Sequence, residues 1–501
     1  MIELSKRTSG VLMHISSLPG NTGIGTMGEF AYKFVDKLKS SGQTFWQILP
    51  IGPTGFGDSP YQSFSSFAGN PYFIDLDLLC KDGYLKKRDY EHINWGSEQT
   101  KTDYALLHKE RHKLFEVLQN NFEKNEPEDY KKFCFENSYW LSDYALFMAI
   151  KDKFGGEPFF KWNDELRLRN KDALVRFEKE NKRQTEYHKM LQYFFFKQWK
   201  NLKKYSNENG VYIIGDLPIY VASDSADVWV NRNIFKLDEN MNVTQVAGCP
   251  PDAFTSDGQL WGNVVYDWEN LKKSDYKWWI ERLRYAFSIY DVLRIDHFRA
   301  FESYYCIKAT EKTARNGVWQ KGPGIHFWQS VFSNLGKLPI IAEDLGFLTD
   351  DVKKLLDDCG FPGMKVLQFA FDSREDSNYL PHNYEKNSVV YTGTHDNDTI
   401  IGWINTAKKQ DIKFAKEYFR IRGTNHLAKE MMLAALSSVS STCSLTMQDL
   451  IGLDSLSRMN TPSTLGNNWQ WRATHEQIKN VDYASLLRYT KLYGRLNMFD
   501  V

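Results

Sequence analysis

The amino-acid sequence predicts an α/β fold, a (β/α)8 TIM barrel with inserted, largely helical subdomains, and three observations predict it. Eight short apolar segments alternate along the 501 residues with stretches of helical period, the pattern of parallel βα units. Three of the segments end in a carboxylate, the way strands deliver groups to one rim of a parallel barrel. Two of the gaps are far longer than a βα crossover needs, so further structure is inserted there.

The first segment is GVLMHISS (10–17), and the EFAYKFVDKLKSSG that follows has apolar residues at helical spacing. TFWQILPI (44–51) and GVYIIGDLPIYV (210–221) come next, each bounded by turn residues. Between them, residues 55–205 are expected to form a mainly helical insertion. DYALLHKERHKLFEVLQNN and TEYHKMLQYFFFKQWKNLKKYSNENG within it are amphipathic. Residues 222–280 contain CPPDAFTSDGQLWGNVVYDW, whose Pro, Gly and Asp content predicts an ordered, loop-rich insertion covering the cleft. KWWIERLRYAFSIY leads into YDVLRID (290–296), HFWQSVFSNLG precedes LPIIAED (338–344), and TDDVKKLLDDCG precedes MKVLQFAF (364–371). SVVYTGTHD (388–396) and CSLTMQDLIGL (443–453) complete the set, so residues 1–501 are expected to form one catalytic domain.

Composition narrows the function. Lys plus Arg equals Asp plus Glu at 63 each, a balance that favours neither nucleic acid nor an anionic membrane as partner. Aromatic residues make up 15%, with 15 Trp and 27 Tyr, which suits sugar binding and equally suits a large core. The six cysteines are scattered without a C-x-x-C pair, as expected of reduced thiols. No apolar run approaches the roughly 18 residues of a membrane helix, and MIELSKRTSGVLMHISSLPG has no signal-peptide core. A cytoplasmic protein is expected.

Two motifs invite a function and are better explained by structure. GIGTMG (23–28) satisfies G-x-G-x-x-G between a strand and a helix, but the next strand ends QILPIGP, without the acid a dinucleotide site wants. A glycine turn that packs strand against helix is the better account. His108 and His112 lie four apart on a helix, yet the motif is HKERH and its neighbours are charged. A solvated helix face is expected there, not a zinc site.

The acid-tipped segments carry more. Strand alternation in YDVLRID puts Arg294 and Asp296 on one side and Leu293 and Ile295 on the other. With the apolar pair toward the helices, Arg294 and Asp296 face the barrel mouth, where the guanidinium favours an ionised carboxylate fit for a nucleophile. Glu343 follows Ile341 and Ala342, and partial desolvation raises its pKa toward that of a general acid. One ionised and one protonated carboxylate make up the retaining glycosidase pair. Asp396, flanked by His395, is a third acid on the same rim. A divalent metal held by the same acids is the competing chemistry, disfavoured because His297 and His395 sit beside the acids without a repeated ligand motif. No metal is expected.

RIDHFRAFESYY, IAEDLG, TGTHDND, GDSPYQSFSSFAGNPYFIDL, GDLPIYVASDSADVW, PPDAFTSDGQLWGN and NTPSTLGNNWQWR together resemble the 4-α-glucanotransferases, or amylomaltases, of glycoside hydrolase family 77. The likeness runs from near residue 14 to near residue 470. It implies transfer of α-1,4-glucan segments from a maltooligosaccharide or starch donor to the 4-hydroxyl of an acceptor glucan or glucose, with retention and no cofactor. By matching motifs, Asp296 is the implied nucleophile, Glu343 the acid/base and Asp396 the transition-state stabiliser. Arg294, His297 and His395 are implied to support the donor sugar. Tyr61 and Asp216 fall where the family lines its subsites, and Asp252, Gln259 and Trp261 in the mobile loop over its cleft. An α-amylase-like hydrolase shares the same acids, and a catalytically silent glucan-binding protein would keep the aromatics. The chain departs from the family at Val264, where WGNP is usual and a proline would fix a turn. It departs again at Ser463, where a glycine commonly follows Pro462 and its φ freedom is lost. Both departures imply altered loop shape and chain-length preference.

Overall fold

β-Branched and apolar runs bounded by turn residues form twelve strands among the described residues of the computed structural model, which are 2–55, 57–251, 256–346, 348–374 and 376–496. They are β1 (Thr8–Leu12), β2 (Phe45–Gln47), β3 (Tyr212–Pro218), β4 (Gln245–Cys249), β5 (Gln259–Val264), β6 (Val292–Asp296), β7 (Ser303–Lys308), β8 (Val318–Lys321), β9 (Ile340–Ala342), β10 (Gly363–Val366), β11 (Ser388–Tyr391) and β12 (Thr442–Thr446). Eight of them form one sheet in the order β10-β11-β12-β1-β2-β3-β6-β9. Every pairing in it is parallel. The two outer strands meet without a ladder of their own. At that seam the Ala342 N–H donates to the Pro362 carbonyl at 3.0 Å, and the Met364 N–H to Asp344 Oδ1 at 2.6 Å. With helices around it, this sheet is the (β/α)8 barrel, and each of the eight expected segments supplies one strand.

The strands are shorter than the apolar runs that announce them. Ile15–Ser17 and Leu367–Phe371 turn into 3-10 helices, and Met447–Ile451 into an α-helix capped by Thr446. Past the barrel rim no neighbouring strand is there to accept ladder bonds, so the backbone satisfies itself locally while the side chains stay buried. Inside the barrel, Phe45, Ile214, Val292, Ile341, Met364, Val366, Val389 and Tyr391 pack together. Leu293 and Ile295 belong to the outer layer between strands and helices.

Among the described residues, seven α-helices and three short 3-10 helices occupy the span between β2 and β3, the longest of them Lys182–Glu208. Gln192 on that helix bonds both the N–H and the carbonyl of Gly69, at 2.7 and 2.9 Å, and so anchors the long segment after β2. The stretch 222–280, expected to be rich in loop, also holds β4 and β5. These join β7 and β8 in an antiparallel sheet of order β5-β4-β7-β8. Val264 is correspondingly no turn residue. It closes β5, buried, opposite Val246.

A Cβ on Gly25 would lie 1.9 Å from the Ile15 carbonyl oxygen, so the GIGTMG turn is glycine-rich to let backbone approach backbone. His112 Nδ1 lies 3.7 Å from Glu116 on an exposed helix face. All six cysteines are free, and no described helix is long and apolar enough to cross a membrane.

The two ends of the chain are tied together. Arg495 is fully buried and donates to the carbonyls of Thr8 at 2.7 Å, Ser441 at 3.2 Å and Leu436 at 2.6 Å. Arg7 donates to those of Tyr493 and Ser438, each at 2.7 Å.

Candidate active site

The site grows from the register of β3, β6 and β9 at their C-terminal ends. Asp216 of β3 is paired with Arg294 of β6, and Ile295 of β6 with Ala342 of β9. The residues that follow this last pair are Asp296 and Glu343. Their backbones stay coupled, the Glu343 N–H donating to the Ile295 carbonyl and the Phe298 N–H to that of Glu343, both at 3.0 Å. Neighbouring strands run about 4.8 Å apart, so the two acids emerge side by side.

Arg294 organises the carboxylates. One terminal nitrogen bonds both Asp216 oxygens, at 2.7 and 2.8 Å. The other lies 3.1 Å from Asp296 Oδ1, and Nε donates to the Met364 sulfur at 3.4 Å. Tyr61 donates its hydroxyl to Asp216 Oδ2 at 2.7 Å. The Asp216 side chain is only 1% exposed, whereas that of Asp296 is 30% exposed. Asp216 thus meets the cleft only through its partners Arg294 and Tyr61, while Asp296 is partly open to it.

Arg294 does favour the ionised form of Asp296, as expected, but it shares its charge with Asp216. Burial pushes the Asp296 carboxyl up to about 8, and Arg294, engaged mainly by Asp216, offsets only part of it. The charges of Asp216, Glu343 and Asp396 add to the rise. Glu343 is raised as well, by burial first, against Arg294 and the N–H groups of Leu345 and His297. Both acids are thus raised beside one shared cation.

Glu343 is held at both oxygens. The His297 N–H donates to Oε2 at 2.6 Å and the Leu345 N–H to Oε1 at 2.9 Å. The first bond depends on an unusual backbone, since His297 has φ +52°, a left-handed conformation that turns its N–H back toward the acid. Burial, then Arg299, lowers the His297 imidazole to about 3. It stays neutral at working pH. The Trp261 ring meets it edge-on, with centroids 4.8 Å apart at 87°. Trp261 Nε1 donates to Gln259 Oε1 at 3.0 Å, and Gln62 to the Trp261 carbonyl at 3.3 Å. Asp252 lies outside the described residues.

Across the mouth, His395 stacks on Tyr61 at 5.0 Å and 21°, and its Nε2 lies 3.4 Å from Asp396 Oδ1. Burial lowers this imidazole too, with Asp396 working against it. The loop after β12 holds Asp396 through Arg458 and through Asn460, which opens the motif NTPSTLGNNWQWR. Asn460 Nδ2 donates to Asp396 Oδ1 at 2.7 Å, and Arg458 to the Asp396 carbonyl at 2.5 Å. Trp469 leans on both Tyr61 and His395, at 5.7 and 5.8 Å. Ser463 in this loop sits at φ +63°, so a residue with a Cβ holds the left-handed conformation glycine would favour. Asn460, Arg458 and Trp469 carry no periodicity or spacing that would have marked them. The motif NTPSTLGNNWQWR was the signal for Asn460 and Trp469, and Arg458 lies two residues before it.

The 4-alpha-glucanotransferase family model of glycoside hydrolase family 77 matches residues 13–477. The chain belongs to this family. It is 49% identical over 501 residues to the 4-alpha-glucanotransferase of Streptococcus pneumoniae serotype 4, covering 99% of this chain and 98% of that one. With the 4-alpha-glucanotransferase of Clostridium butyricum it shares 47% over 485 residues, 96% of this chain and 100% of that one. Among solved structures, the amylomaltase of Streptococcus agalactiae in complex with acarbose is 44% identical with a TM-score of 0.96, covering 98% of this chain and 100% of that chain. Membership in the family accounts for the shared motifs along nearly the whole chain.

Proposed function

We propose that this 4-alpha-glucanotransferase moves α-1,4-glucan segments by double displacement, with Asp296 as nucleophile, Glu343 as acid/base and Asp396 as stabiliser. The observation that carries the reading is the pair of acids at the tips of β6 and β9. The strand spacing of about 4.8 Å suits the roughly 5–5.5 Å that a retaining pair needs. An Asp296 oxygen attacks C1 of a donor glucose unit, the C1–O4 bond breaks, and Glu343 gives its proton to the departing oxygen. The shorter glucan leaves. Glu343, now a carboxylate, takes the proton from the 4-hydroxyl of an acceptor, whose oxygen displaces Asp296 from C1 on the same face.

Arg294 steadies Asp296 in both steps, and Asp396, held by Asn460, faces the positive charge that grows at C1. Tyr61, His297 and His395 line the donor side. Gln259 and Trp261 reach over the cleft and favour a sugar over water as acceptor, a role that the family motif extends to Asp252. The scheme needs no cofactor and no metal. Partners are maltooligosaccharides and longer α-1,4-glucans, in line with the acarbose complex of the Streptococcus agalactiae relative. Neither nucleic acid nor a membrane is among them. Six free thiols fit a cytoplasmic setting.

Incubation with maltotriose tests the reading. A ladder of longer maltooligosaccharides together with glucose is the expected result. Glucose and maltose alone, with one new reducing end per cleavage, would make the protein a hydrolase, and no turnover would make it a binding protein.

A further inference from the structure

Asp344, the residue after the acid/base, has a place in the fold that the reaction scheme leaves unused. It is buried, at 7% exposure, and sits where the barrel closes without a ladder. On the other side of Glu343, β9 is bound to the nucleophile strand β6 by regular register. Toward β10 the backbone supplies the Ala342–Pro362 bond, and the next link is the Asp344 side chain, whose Oδ1 accepts the Met364 N–H at 2.6 Å. The space is shaped for it. A Cβ on Gly363 would lie 2.4 Å from Asp344 Oδ2, so a residue with a side chain there would expel the carboxylate. Met364 also receives Arg294 Nε on its sulfur, so one residue of β10 touches both the seam and the cation of the site.

We propose that Asp344 is a positioning residue for Glu343, its carboxylate fastening the β9–β10 seam behind the acid and its charge favouring a proton on that acid. The inference rests on the reading of Glu343 as general acid/base. A neighbouring anion opposes the loss of a second proton, and protonation is what the first displacement needs from Glu343. Other charges face the pair. Arg294, Asp296 and Asp216 surround Glu343 from β6 and β3. Lys365 on β10 approaches Asp344, and Tyr379 lies near both acids. Burial pushes Asp344 itself up to about 6, with the Met364 N–H and Lys365 opposing. It is thus ionised in the neutral range, where its charge acts.

Asp344→Asn separates bond from charge, because the amide oxygen still accepts the Met364 N–H. The alkaline limb of the kcat profile on maltotriose is expected to move down by roughly one pH unit. On that limb the rate falls about tenfold. With α-maltosyl fluoride as donor, whose leaving fluoride needs no proton, the variant is expected to keep the wild-type rate, which also reports that it is folded. An unmoved alkaline limb would overturn the proposal, and so would rates on maltotriose and the fluoride that fall in parallel. Glu343→Ala, assayed on the fluoride with azide as external nucleophile, is the separate control. Its failure to recover turnover would count against the role of Glu343, independently of what Asp344→Asn does.

Discussion

Replacing Arg294 by glutamine leaves Asp216, Asp296 and Glu343 without the guanidinium that bonds the first at 2.7 Å and lies 3.1 Å from the second. An opposite charge within about 4–6 Å lowers a carboxyl by about 1–3 units. Burial already raises Asp296 with Arg294 beside it, so loss of the guanidinium moves the acid limb up by about 1–3 units more. Each unit on that limb is about tenfold. At neutral pH, kcat/KM is therefore expected to fall by about 10- to 1,000-fold. The whole bell shifts to higher pH, so much of the loss returns as the medium is made alkaline. Glucose release from maltotriose, followed across the pH range, measures this. The stranded Asp216 charge also costs about 3–5 kcal/mol of stability, so the assay is run well below the lowered Tm. A loss that is equal at every pH would refute the argument, because it would make Arg294 a structural residue without influence on ionisation.

Asn460→Ala removes the 2.7 Å bond to Asp396. A hydrogen bond to a charged group is worth about 1.5–3 kcal/mol, so kcat is expected to fall by about 10- to 150-fold while KM for maltotriose changes little. A rise in KM with kcat intact would place Asn460 in ground-state binding. Trp261→Ala takes away the ring packed on His297. The share of donor cleavage ending in hydrolysis, read as reducing ends per glucose released, is expected to rise, and an unchanged share would move the discrimination against water elsewhere.

Much of the fold was legible because barrel strands are buried on both faces and so appear as apolar runs that stop at turn residues. The tips were legible for the same reason. An acid after Val292–Ile295 or Ile340–Ala342 stands out against its own strand. The strands β4 and β5 were not legible, because QVAGC and QLWGNV carry glycines and polar residues that signal loop. Pairing with β7 forms that sheet. How far Arg294 is shared was hidden for a related reason. Sequence shows Arg294 two positions away, but not that Asp216, 78 residues earlier, takes both hydrogen bonds of one terminal nitrogen. Asn460 stood inside a motif, but its role was hidden because it depends on where a loop returns.

The clasp at the chain ends sets an order of events during synthesis. Arg495 reaches Thr8 across 487 positions, and β12 lies beside β1. A ribosome that has made everything up to β11 thus carries an open, curved sheet with β1 and β11 as bare edges, surfaces that recruit other strands. Closure waits for β12, and its lock for the helix that ends just before Arg495. A product that stops between β11 and β12 would be an unclosed ring with the edges of β1 and β11 both bare.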